Sequence, residues 1–388
     1  NMVYPFTTNG YITGTINVCL GDAAPTITFT GANGTAPYTF TYTLNGGANQ
    51  TVTSLGTTAT VSVSTGTAGT FSYAIVSVQD ASTTACSQVQ TGNATVVVNP
   101  LPTATIAGTA SVCVNDVSPV ITFTGGAGTA PYTFTYTING GANQTVVSIG
   151  ATAAVNAPTG LAGTFVYDLV SVQDASSTAC SQVQVGSATI TVNPLPTATI
   201  AGTVTLCLND PLPSITFTGA SGTAPYTFIY TINGGTPQTV VSIGAAATVA
   251  VPTGTAGTFV YDLVSVQDAS STACSQVQVG SATVIINALP TAAISGDANL
   301  CVNDVQPVVT FTGASGTAPY TFTYTINGGP NQTIMSVGST ATIANSTATA
   351  GTFVYDLVSV QDASATACSQ AQTGTVTIVV SPLPTATI

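Results

Sequence analysis

Five residue types are missing altogether: the 388-residue chain contains no Lys, Arg, His, Glu or Trp. Its formal net charge of −12 comes from Asp alone, and 3% of its residues are charged, against about a quarter in an ordinary chain. The missing cations exclude nucleic-acid binding, which needs Lys and Arg to neutralise phosphates. They equally exclude electrostatic attraction to anionic lipid. Without His or Lys, no Ser or Thr hydroxyl has a base to activate it. No apolar run is long enough to span a bilayer as a helix, so no direct membrane insertion is expected. Asn1 opens the chain without a basic stretch, so no signal peptide is read there.

What is present is 44% hydrophobic residues in a vocabulary of Thr, Val, Ala, Gly, Ser and Asn, which suits strands and turns. The clearest stretch is 128–141, Gly-Thr-Ala-Pro-Tyr-Thr-Phe-Thr-Tyr-Thr-Ile-Asn-Gly-Gly. Side chains in a strand change face at every residue. Tyr132, Phe134, Tyr136 and Ile138 therefore form an inner face, and Thr133, Thr135 and Thr137 an outer one. Asn139-Gly140 supplies the left-handed residues that a tight hairpin needs. The same phrase recurs at 38–46, 226–234 and 320–328.

The repeat is strict. Cys19, Cys113, Cys207 and Cys301 are 94 residues apart, as are Cys86, Cys180, Cys274 and Cys368. A block of that length can bury a core of its own, so the blocks read as tandem domains. Their expected bounds are 8–101, 102–195, 196–289 and 290–383. Residues 1–7 read as the end of a preceding segment, and 384–388 as the start of a fifth repeat. In the second block, strands are expected over 103–106, 119–124, 132–138, 144–149, 151–155, 165–172 and 187–192. About seven short strands with frequent turn signals predict an all-β chain of four immunoglobulin-like β-sandwiches. Pro-containing linkers such as Asn99-Pro100-Leu101-Pro102 favour an extended connection. Sandwiches of about 40 Å strung end to end would give a rod of roughly 160 Å.

Two cysteines per block, in a chain without His, argue against zinc. A disulfide within each block is expected, Cys19–Cys86, Cys113–Cys180, Cys207–Cys274 and Cys301–Cys368. Each would close a long loop and stabilise by about 4 kcal/mol. Free thiols and bridges between neighbouring blocks remain as alternatives. Disulfides persist outside the reducing cytosol, which points to an extracellular or cell-surface location.

Each block also carries two Asp near its cysteines: Asp22 with Asp80, Asp116 with Asp174, Asp210 with Asp268, and Asp304 with Asp362. Were the block's own cysteines bonded, these carboxylates would share one end of the sandwich as a candidate calcium site. The competing reading makes them turn residues that accept backbone N–H bonds, with no cofactor. Asp168, Asp262 and Asp356 give way to Ala74 in the first block, which argues against a catalytic role. No enzyme is expected. Thr-x-Thr spacing invites an ice-binding reading, but Thr122 and Thr124 should fall on a different sheet from Thr133 to Thr137.

The combination of Pro-Leu-Pro-Thr-Ala-Thr-Ile, an early Cys, Gly-Thr-Ala-Pro-Tyr-Thr-Phe-Thr-Tyr and a late Asp-Ala-Ser…Cys-Ser resembles the tandem immunoglobulin-like repeats of large surface proteins from gliding, type IX-secreting bacteria. The resemblance covers all four blocks. It implies export across the outer membrane and a stalk or adhesin filament outside the cell. The expected function is thus a structural stalk that extends a binding tip, with neighbouring repeats of one longer chain as partners. Two alternatives are a weak glycan- or partner-binding module acting by avidity, and a fibre subunit that self-associates laterally through uncovered strand edges.

Overall fold

The computed structural model describes residues 8–386. The expected segment 1–7 and the last two residues of the expected fifth repeat lie outside that range. Among the described residues every regular element is a strand. The chain is four repeated sandwiches of the immunoglobulin-like kind, grouped into two compact units, 1–193 and 194–388, of two repeats each.

The first repeat shows the plan. Its strands are β1 (Asn9–Thr13), β2 (Ile16–Cys19), β3 (Thr26–Ala32), β4 (Thr39–Leu44), β5 (Gln50–Thr53), β6 (Thr58–Ser62), β7 (Gly69–Gln79), β8 (Ser87–Val89) and β9 (Asn93–Asn99). One sheet has the order β1-β3-β6, and the other β2-β9-β7-β4-β5 with β8 also on β7. The opening strand is split between the sheets: β1 is antiparallel to β3, whereas β2 is parallel to β9. Gly14 makes the crossing at φ 119°, where a Cβ would stand 2.6 Å from the Thr26 carbonyl oxygen. Only glycine fits such a backbone.

The core follows from the alternation. Tyr38, Phe40 and Tyr42 are buried while the intervening threonines are half-buried. Phe29 on the small sheet stacks on Phe40 of the large one with ring centroids 5.6 Å apart, and the pair recurs in each repeat. Aromatic pairs of this kind contribute about 0.5–1.5 kcal/mol beyond their burial. The ring of Tyr38 lies flat over Gly31, where a Cβ would be 2.5 Å from the ring. Its hydroxyl donates to the Gly34 carbonyl at 2.8 Å. The expected hairpin turn is present: Asn139 and Gly140 have φ of 52° and 66°.

In the second repeat the strands cover 103–107, 120–126, 133–138, 144–147, 152–156, 163–173 and 187–193, close to the expected spans. Short strands at 110–113 and 181–183 are additional. The long strand also departs from strict alternation. Its register against 133–138 shifts between Thr135 and Tyr136, so Leu169 and Val172 both point inward. This bulge re-aims one residue. Thr122 and Thr124 lie on the three-stranded sheet and Thr133 to Thr137 on the other, so the hydroxyls form no single broad array.

Candidate functional site

Each sandwich has two poles, set by strand direction. The chain leaves the first repeat at Asn99, the last residue of β9, and Cys19 stands opposite Asn99 in the parallel β2–β9 ladder. Cys19 therefore lies at the exit pole. Strand β7 runs the other way, with Gly69 opposite Val98 and Ala74 opposite Asn93. Its last residue, Gln79, is then at the entry pole, and Cys86 sits in the loop that follows. Ten residues of strand separate the poles by about 33 Å. A disulfide needs Cα atoms within about 7 Å.

The within-repeat pairs Cys19–Cys86, Cys113–Cys180, Cys207–Cys274 and Cys301–Cys368 are therefore not formed. Cys19 is bonded instead to Cys180 of the second repeat, with Cα atoms 5.7 Å apart. Cys207 is bonded to Cys368 of the fourth, at 5.6 Å. Both bonds span 161 residues and join neighbouring repeats. Cys113 and Cys274 are also disulfide-bonded. Cys86 and Cys301 are free and exposed.

Polar contacts accompany the bond. Asn99 Nδ2 donates to Thr178 Oγ1 at 2.9 Å, and Asn17 Nδ2 to Ser177 Oγ at 2.6 Å. In the second unit Asn287 Nδ2 donates to Thr366 Oγ1 at 3.0 Å. Cys180 and Cys368 are each only 1% exposed, while their partners Cys19 and Cys207 are half-buried. Pro102, the last linker residue, packs at the same pole: a Cβ on Gly128 would be 3.1 Å from it. The entering chain is also pinned by Gln184, whose Oε1 accepts from Ala104 N at 3.2 Å.

The two carboxylates of a repeat lie at opposite poles, and the shared calcium site expected of them is not assembled. Asp22 Oδ2 accepts from Cys19 N at 2.7 Å, and Asp116, Asp210 and Asp304 do the same for Cys113, Cys207 and Cys301. Asp80 braces the loop before Cys86. It accepts from Ser82 Oγ at 2.7 Å, Cys86 N at 2.9 Å and Thr35 N at 3.1 Å. Asp174, Asp268 and Asp362 repeat this brace through Ser176, Ser270 and Ser364. The Ser82 hydroxyl, ahead of the backbone donors, holds the Asp80 carboxyl below its ordinary value despite the opposing effect of burial. Among the described residues no group of three or more His, Cys, Asp or Glu is placed to hold a metal ion. The Asp set is thus used as turn braces beside the cysteines.

The sequence favours the within-block pairing and leaves bridges between neighbouring blocks as an alternative, yet a signal for the latter was available. The 103–106 strand, the bend at Gly108 and Cys113 together carry the chain one sandwich length from its entry. Counting strand directions from there puts the two cysteines of a repeat at opposite ends.

No family model and no curated protein matches the chain. Among solved structures, it is similar to a Ca2+-stabilized adhesin that helps an Antarctic bacterium reach out and bind ice. That match is 15% identical and covers 95% of this chain and 99% of the other, with a TM-score of 0.37. A tetra-tandem repeat from the extending region of a large adhesion protein is 13% identical, covering 96% and 99%, with a TM-score of 0.31. Three immunoglobulin domains of a titin variant are 12% identical, covering 73% and 99%, with a TM-score of 0.42.

Proposed function

We propose that this chain is a structural stalk segment of an extracellular adhesin, whose repeats set the distance between a cell surface and a binding tip. The observation that carries the reading is the disulfide between one repeat's exit pole and the next repeat's entry pole. A bond placed there crosses neither sandwich core; it ties one repeat to the next and locks the joint. The repeat bounds read from the sequence, at 101/102, 195/196, 289/290 and 383/384, are part of this proposal. Secretion by the type IX route and a part in gliding, adhesion or biofilm rest on the sequence resemblance, as does a surface location.

The avidity alternative needs aromatic rings displayed for stacking on sugars or partners. Among the described residues, Tyr11 is the one exposed aromatic ring, and the others are committed to the cores or their margins. No enzymatic role is proposed.

Electron microscopy of the oxidised chain tests the stalk reading. A thread of four beads of constant length is expected, becoming flexibly jointed after reduction. A compact particle, or beads equally loose before and after reduction, would defeat it.

A further inference from the structure

The two free cysteines occupy positions whose counterparts are bonded elsewhere in the same chain. Cys86 corresponds, one period earlier, to Cys180, and Cys301, one period after, to Cys207. We infer that Cys301 at the exit pole of the fourth repeat and Cys86 at the entry pole of the first are two halves of a further joint. The partner is another repeat of this same type, supplied to the isolated chain by a second copy, head to tail.

The entry-pole half is already formed. Beside Cys86 is an open cleft of ≈ 470 Å³ lined by Asn33, Gly34, Thr35, Asp80, Ser82 and Thr84. The hydroxyl of Thr84 lies 3.2 Å from the Cys86 sulfur. Where this pole is covered the geometry is the same, at 3.1 Å for Thr178 and Cys180 and 3.2 Å for Thr366 and Cys368. In the covered second repeat, Thr178 accepts from Asn99 and the sulfur meets Cys19. Covering takes this cysteine from exposed to 1% exposed.

The exit-pole half is also formed. Cys301 closes a strand parallel to Thr375–Ser381, opposite Ser381. Its amide is held by Asp304 Oδ2 at 2.7 Å, matching the 2.7 Å of the bonded Cys19 with Asp22 and the 2.8 Å of the bonded Cys207 with Asp210. Asn299 stands where Asn17 does, ready to donate to the Thr83 hydroxyl as Asn17 donates to Ser177. Ser381 replaces Asn99, so this joint lacks one amide donor but keeps the bond-forming pair.

The chemistry needs an oxidant, such as the disulfide of oxidised glutathione. The thiolate of Cys301 attacks it and releases one glutathione thiolate. The thiolate of Cys86 from the next copy then attacks the Cys301 sulfur and releases the second. Two thiols are oxidised to one disulfide while one glutathione disulfide is reduced to two thiols. The two surfaces differ, so the contact is heterologous and can propagate.

The test is oxidation of the 388-residue chain in a glutathione redox buffer, followed by a non-reducing gel. A ladder in steps of 38.3 kDa is expected, collapsing on reduction. Cys86→Ser and Cys301→Ser chains should each stay monomeric alone, and a mixture of the two should stop at a dimer. Mass spectrometry of a peptic digest should find Cys86 joined to Cys301. Dimers from either single variant alone, Cys86–Cys86 or Cys301–Cys301 peptides in comparable amount, or thiols that stay reduced would overturn the inference. It does not depend on the stalk reading, because the ladder would form whatever the repeats are for.

Discussion

Pulling the chain from its two ends should reveal how the bonds partition it. Cys19–Cys180 and Cys207–Cys368 each bridge 161 residues. At about 3.5 Å per extended residue, each hides roughly 560 Å of contour, and the pair hides roughly 1,100 Å. The reduced chain, fully drawn out, would reach about 1,350 Å. Single-molecule force spectroscopy of the oxidised protein, held by handles at both termini, should therefore give no extension beyond about 250 Å. After addition of a thiol reductant the same molecule should show four increments of roughly 300 Å, one per repeat. A bond closed inside each repeat would instead hide about 67 residues and leave four increments of roughly 60 Å. Increments of that size, or full-length increments before reduction, would refute the reasoning from poles and joints.

Further expectations concern stability and pH. With the first repeat folded, the Cys19–Cys180 bond restrains an effective loop of about 80 residues from Asn99 to Cys180; the paired change Cys19→Ser and Cys180→Ser should cost the second repeat about 4–5 kcal/mol in urea unfolding. Gly125→Ala places a Cβ 2.4 Å from the Tyr132 ring and should lower that repeat's stability by about 1–3 kcal/mol in the same assay. Ser148→Ala removes the acceptor for Tyr132 N at 2.6 Å and the donor to the Gly150 carbonyl at 2.8 Å, at a cost of about 1–3 kcal/mol. Stability should be flat from about pH 5 to 8, since no His is present to titrate. Asp80 has a lowered value in the fold, so its contribution is full above the unfolded value near 3.9 and is lost as pH falls through the folded one. Burial raises Tyr136 and Tyr167; their contribution is full below about pH 10 and is lost as pH climbs through the folded values. A circular-dichroism pH titration that shows a transition near neutrality would contradict this.

Most of the architecture is legible in the sequence because alternation is a local code. Tyr132, Phe134 and Tyr136 declare an inner face, and Asn139-Gly140 declares a turn, without reference to anything distant. The bulge within 163–173 was not legible, since it depends on how that strand meets its neighbour rather than on its own residues. The cysteine pairing failed for a related reason. Spacing along the chain is blind to direction, and two residues of one repeat can be 67 apart in sequence yet at opposite ends of a sandwich. The Asp residues were half legible: their adjacency to Cys is real, but only the fold shows that each is occupied with the turn beside its own cysteine.

The crossing at Gly14 carries a consequence for how such a chain can change length. By delivering the early cysteine of each repeat to the far end, it makes the Cys19–Cys180 and Cys207–Cys368 bonds relations between successors. Duplication or loss of one whole repeat then leaves no mismatched sulfur in the interior, because each newly adjacent pair meets in the same orientation as the old. A gene built this way can lengthen or shorten by unequal recombination while an early cysteine always meets a late one of the following repeat.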